Sequence, residues 1–87
     1  MYGLLGKSLG HSFSKDYFTE KFSKLNINDT YQNIELDDIS KIIEFVHNHK
    51  DLKGFNVTVP YKESIIPYLD DLDETAREVG AVNTVKV

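Results

Sequence analysis

Three short strand-like runs, Tyr2–Gly6, Thr30–Leu36 and Gly54–Val59, are separated by segments whose apolar residues recur three or four apart. That switching of period constrains this chain more than any other feature. Strands joined through helices run mostly parallel in one sheet, with the helices packed on its faces. The central run is Gly54-Phe55-Asn56-Val57-Thr58-Val59-Pro60-Tyr61-Lys62. Phe55, Val57 and Val59 alternate with Asn56 and Thr58, which predicts one buried face and one polar face. Pro60 lacks an N–H and ends the ladder, so Lys62 falls at the start of a helix. An amide, a hydroxyl and an ammonium thus gather at one strand end, where open α/β sheets place ligands. A plain surface strand followed by a turn and a solvated lysine has the same pattern.

From the amino end, Tyr2–Gly6 reads as a buried first strand, and a glycine-bearing loop leads to Gly10-His11-Ser12. A helix is predicted from Ser12 or Ser14 to about Asn26, with Phe18, Phe22 and Leu25 on one stripe. Thr30–Leu36 reads as the second strand. Asp37 or Asp38 caps the next helix, whose stripe is Ile39, Ile42, Ile43 and Val46 and whose end lies near His47–Lys50. After Lys62 a short helix is expected to stop or kink at Pro67. Asp70, Asp71 and Asp73 offer caps for another, with Leu72, Ala76 and Val79 at helical spacing and Gly80 as its left-handed end. Ala81–Val87 reads as the last strand. The expected architecture is a three-layer α-β-α fold with a mostly parallel sheet in the order β-α-β-α-β-α-α-β.

The 87 residues amount to one small domain, and 40% hydrophobic with 28% charged residues is a globular composition. There is no cysteine, which excludes a disulfide framework and Cys-based zinc sites. The net charge of −4 and the singly scattered basic residues, with Arg77 the one arginine, argue against nucleic acid. No apolar run approaches the ~20 residues of a membrane span, and the amino end has no signal-peptide core. A cytoplasmic protein without a membrane partner is the expectation.

Several side chains could carry chemistry. Ser12 and Ser14 stand where a loop meets a helix start, so their hydroxyls and the free N–H groups could hold a carboxylate, or they could simply be competing caps. Lys62 could donate to a carbonyl oxygen or exchange a proton with a hydroxyl, or lie in solvent. Asn83 shares its face with Ala81, Val85 and Val87, so a buried amide there would need a ligand hydroxyl or a neighbouring loop as partner. His47 and His49, two apart on a helix, make a poor metal pair, and His11 either orders the serine loop or is exposed. No metal site is predicted. Gly3, Gly6 and Gly10 do not form G-x-G-x-x-G, so no dinucleotide fingerprint is present.

Leu9-Gly10-His11-Ser12-Phe13-Ser14, Gly54-Phe55-Asn56-Val57-Thr58-Val59-Pro60-Tyr61-Lys62 and Gly80-Ala81-Val82-Asn83-Thr84-Val85 together resemble the substrate-binding domain of the shikimate dehydrogenases. The order and spacing agree over essentially the whole chain. The resemblance implies NADP-linked, reversible reduction of 3-dehydroshikimate to shikimate in aromatic amino-acid biosynthesis. By the same resemblance, Ser12 and Ser14 hold the substrate carboxylate, Asn56, Thr58 and Asn83 contact ring hydroxyls, and Lys62 is the catalytic lysine. That lysine works with an aspartate on the strand leading to the next domain. The family usually has Pro directly after the second serine and His three residues later, where this chain has Lys15 and Phe18.

The chain stops three residues after Asn83-Thr84, before the family's catalytic aspartate and its nucleotide-binding domain. The expectation is a substrate-binding half that folds alone, binds shikimate weakly, and leaves NADP to its missing partner domain. A non-catalytic hydroxy-acid binding module and a protein-interaction domain are the alternatives. The first would retain Ser12, Ser14 and Asn83 without needing Lys62.

Overall fold

The computed structural model describes residues 1–10 and 13–87. Strand β1 (Tyr2–Gly6), helix α1 (Phe13–Lys24), β2 (Tyr31–Glu35), α2 (Ile42–Asn48), β3 (Gly54–Val57), α3 (Tyr61–Ser64), α4 (Glu74–Val79) and β4 (Thr84–Lys86) follow in turn. Short 3-10 turns at Ile39–Lys41 and Ile66–Tyr68 join them. The sheet order is β2-β1-β3-β4, with β1 parallel to both its neighbours and β4 antiparallel to β3. The mostly parallel sheet expected from the alternating periods is present, bordered by one antiparallel strand.

The pairing register sorts the side chains into two faces. Leu5 lies beside Ile34 and Val57, and Phe55 beside Val85. Leu5, Ile34, Val57 and Phe55, with Leu36, Ile42, Leu52, Tyr61, Ile65 and Val82, make the buried core under α2 and α3, and Val85 packs half-buried against it. Truncating a fully buried member such as Leu5 or Ile65 to Ala costs about 2–5 kcal/mol, because the cavity closes only in part. On the other face α1 lays Phe22 against Tyr2, ring centroids 6.0 Å apart, and Phe18 flat on Tyr31 at 4.8 Å. Helices on both faces give the three layers.

Local chemistry sets the boundaries. Asp38 caps the turn before α2 by accepting from Ser40 N, and Asp73 caps α4 by accepting from Ala76 N at 2.7 Å. Gly80 ends α4 at φ 75°, in the left-handed region where a Cβ is penalised. At the amino edge of the sheet Asp29 binds the Met1 ammonium at 2.6 Å and Lys53 at 2.7 Å, linking the starts of β1 and β3.

Several boundaries differ from the pattern. Val59 is 72% exposed, although it alternates with Phe55 and Val57. The strand ends at Val57, and a turn closed by Tyr61 N donating to Thr58 O carries Val59 off the sheet. Leu25 and Val79 are exposed because α1 ends at Lys24 and α4 is only six residues long. Pro67 sits inside a 3-10 turn rather than ending the preceding helix, since its missing N–H is unneeded in a first turn. β4 spans three residues of the seven expected from Ala81 to Val87.

Candidate functional site

Three of the candidate residues, Thr58, Lys62 and Asn83, meet at the carboxyl ends of β1 and β3, and backbone bonds draw them together. Thr58 N donates to Leu5 O at 2.9 Å, extending the pairing of β1 and β3 beyond Val57. Val57 N donates to Asn83 O and Val82 N to Lys62 O, both at 2.7 Å. Thr58, Lys62 and Asn83 therefore occupy one corner, fixed through main-chain atoms that leave their side chains available. The corner is tight at Gly6: a Cβ there would come within 2.9 Å of Thr58 Cγ2 and 2.5 Å of Leu9 Cδ2. Only glycine lets the loop after β1 and the end of β3 approach so closely.

Among the described residues nothing engages the polar side chains at this corner. Lys62 is half-buried, and among the described residues its ammonium makes no hydrogen bond or ion pair. Among the described residues the Thr58 hydroxyl and the Asn83 carboxamide likewise have no partner. The Asn83 side chain is exposed, not buried in an apolar register. Because β4 begins one residue later, alternation does not yet govern Asn83, and its backbone carbonyl is the part that is bound.

Asn56 belongs to a separate network one pleat further back on the α1 face. Its Oδ1 accepts from the Tyr31 hydroxyl at 2.8 Å, and its Nδ2 donates to Thr84 Oγ1 at 3.1 Å. Tyr31 is 3% exposed, and burial raises its pKa, so its hydroxyl keeps its proton. Asn56, Tyr31 and Thr84 line an open concavity of about 970 Å³ between α1 and the β4 edge. Thr58, Lys62, Asn83 and Ser14 do not line it.

The loop ahead of α1 is held by a residue with no obvious signal in the sequence. Glu35 Oε1 accepts from both Leu9 N, at 3.0 Å, and Gly10 N, at 2.9 Å, while Asn33 Nδ2 donates to Gly10 O at 3.3 Å. Asn33 Oδ1 is buried with no hydrogen-bond partner among the described residues. Ser14 lies in the first turn of α1, half-buried and already inside the helix, so it is not the cap. Ser12 and His11 fall outside the described residues.

Tyr31, Glu35 and Thr84 were not singled out from the sequence as site residues. The alternation of Tyr31, Asn33 and Glu35 along β2 was the available sign that this face is polar and engaged. Among the described residues no group of three or more His, Cys, Asp or Glu could hold a metal ion. No described helix is long and apolar enough to cross a membrane. In the loop after β1 the Glu35 carboxylate occupies the backbone N–H groups of Leu9 and Gly10, so these two are not free to receive a pyrophosphate.

The sequence profile of the shikimate dehydrogenase substrate binding domain matches residues 4–85. The shikimate dehydrogenase (NADP(+)) of Staphylococcus epidermidis is 45% identical over 99% of this chain, which spans 32% of that protein. The crystal structure of shikimate dehydrogenase 1 from Peptoclostridium difficile superposes with a TM-score of 0.89 at 42% identity, over 99% of this chain and 32% of that one. Shikimate 5-dehydrogenase from Listeria monocytogenes, solved in complex with shikimate and NAD, gives 0.86 at 37% identity, over 98% and 30%. The chain thus spans about a third of the length of the relatives it matches.

Proposed function

Because the chain belongs to the shikimate dehydrogenase substrate-binding domain family, we propose that it holds shikimate or 3-dehydroshikimate for their NADP-linked interconversion. In this reading residues 1–87 are the substrate domain, and NADP is bound by a nucleotide-binding domain outside this chain. NADP supplies the redox chemistry; the residues here bind, orient and exchange a proton. Ser12 and Ser14 hold the carboxylate. Asn56, Thr58 and Asn83 contact ring hydroxyls. Lys62 is the catalytic group, giving or taking the proton at the reacting oxygen together with an aspartate outside the chain. The substrate is a small cytoplasmic acid, and its enzyme is placed in the same compartment.

The observation that carries this reading is the corner built by Val57 N to Asn83 O and Val82 N to Lys62 O. It gathers an ammonium, a hydroxyl and a carboxamide, each without a partner among the described residues. Two half-buried polar groups, Thr58 and Lys62, left idle beside the exposed Asn83 carboxamide suit a hydroxylated ligand.

The test is an NMR titration of the ¹⁵N-labelled chain with shikimate up to ~50 mM, where even a millimolar site would saturate. Shifts at Ser14, Asn56, Thr58, Lys62 and Asn83 are expected, with loss of affinity for the shikimate methyl ester. Unmoved amides at these positions overturn the assignment.

A further inference from the structure

Tyr31 makes a contact that neither packing nor backbone pairing requires. It sits on β2, its hydroxyl partner Asn56 sits on β3, and β1 runs between them. Tyr31 lies beside Tyr2 in the register, whereas Asn56 lies beside Leu4. The phenol therefore reaches across a whole strand and one pleat. Phe18, stacked on it at an interplanar angle of 22°, holds the ring on that diagonal. A phenylalanine would fill the same space and keep the same stack, so what the hydroxyl adds is the bond to Asn56.

Asn56 can accept two hydrogen bonds at Oδ1 and donate two from Nδ2. Tyr31 takes one acceptor site and Thr84 one N–H, leaving one of each. Thr84 is exposed, so burial does not demand that the carboxamide be paired there. Two opposed anchors instead keep it from rotating.

We propose that Tyr31 is a positioning residue for ligand binding: it fixes the Asn56 carboxamide so that the remaining N–H is presented to a ring hydroxyl of a polyhydroxylated cyclic acid. The proposal rests on the reading above that Asn56 contacts substrate. Tyr31 does not touch the ligand, and its effect is transmitted entirely through Asn56. Burial raises the phenol's pKa, so the anchor persists through neutral pH.

A double-mutant cycle on this chain, read by NMR titration with shikimate, tests it. Tyr31→Phe is expected to weaken shikimate roughly fivefold while lowering the melting temperature by no more than about 4–8 °C, the loss of one neutral hydrogen bond in a chain of this size. In the Asn56→Ala background the same substitution is expected to change nothing. Unaltered affinity of Tyr31→Phe, or an equal loss in both backgrounds, overturns the inference while leaving the proposed function standing. Failure of the wild-type chain to bind shikimate overturns both. If Tyr31→Phe does not fold, the wild type still decides: the Asn56 side-chain amide should be as rigid as ordered backbone, with an order parameter near ~0.85, and a value below ~0.6 overturns the inference.

Discussion

The backbone N–H of Val82 donates to the carbonyl oxygen of Lys62 at 2.7 Å, tying the start of α3 to the segment that enters β4. The bond uses only main-chain atoms, so the ammonium and the fold are separable. Lys62→Ala should leave the melting temperature within about 2 °C of wild type, as surface changes that break no buried contact do. The same variant should weaken shikimate binding in the NMR titration. A large loss of stability, seen by calorimetry, would show that the side chain is structural.

Gly6 faces Thr58 and Leu9 with no room for a side chain. Gly6→Ala is expected to destabilise the chain by about 1–3 kcal/mol, the usual cost of overpacking, because the nearest atoms belong to the loop and to the end of β3. Urea unfolding measures it, and an unchanged midpoint would mean that the loop yields freely.

At Gly80 the constraint is conformational, since a Cβ there would meet nothing within 4 Å. Gly80→Ala should cost about 1–2 kcal/mol through the left-handed backbone alone, and Gly80→Asn less. Equal stability of the two variants would contradict that account.

Glu35 binds two successive loop amides with one oxygen. Glu35→Ala should raise hydrogen exchange at Leu9 and Gly10 roughly tenfold, the size of a lost charge-assisted pair, while the core amides stay protected. Unchanged protection at both amides would show that the carboxylate does not hold the loop.

Asp29 is expected to contribute to the acid sensitivity. Its hydrogen bond to Lys53, and then that to the Met1 ammonium, hold its carboxyl well below the ordinary value of 3.8. A folded pKa depressed in this way contributes stability that is complete above the ordinary carboxylate range and is lost as pH falls below about 4. Asp29→Asn should therefore lower the melting temperature at pH 7 and flatten its fall between about pH 4 and pH 2. A parallel pair of pH profiles would assign the acid sensitivity elsewhere.

Much of this molecule is legible without coordinates. Tyr2–Gly6 was delimited by its apolar run and Asp73 and Gly80 by capping chemistry, whereas β3 stops at Val57, short of the Val59 that Pro60 marked out. Asn83 was misjudged because period-2 reasoning was carried past the end of a strand that lasts only three residues. Glu35 was missed because an exposed acid on a strand looks solvated until the loop it binds is placed beside it.

The order of strands and helices, the alternation of faces, and the end of the sheet where polar groups collect were determined by the sequence itself, because each follows from local periodicity and from residues that break it. Tertiary structure alone decided that β1 lies between β2 and β3, that β4 runs antiparallel, and that Tyr31 and Asn56, 25 residues apart, share a hydrogen bond. Neighbourhood in a sheet depends on how distant strands pack over a common core, and that choice leaves no trace in any short stretch of chain.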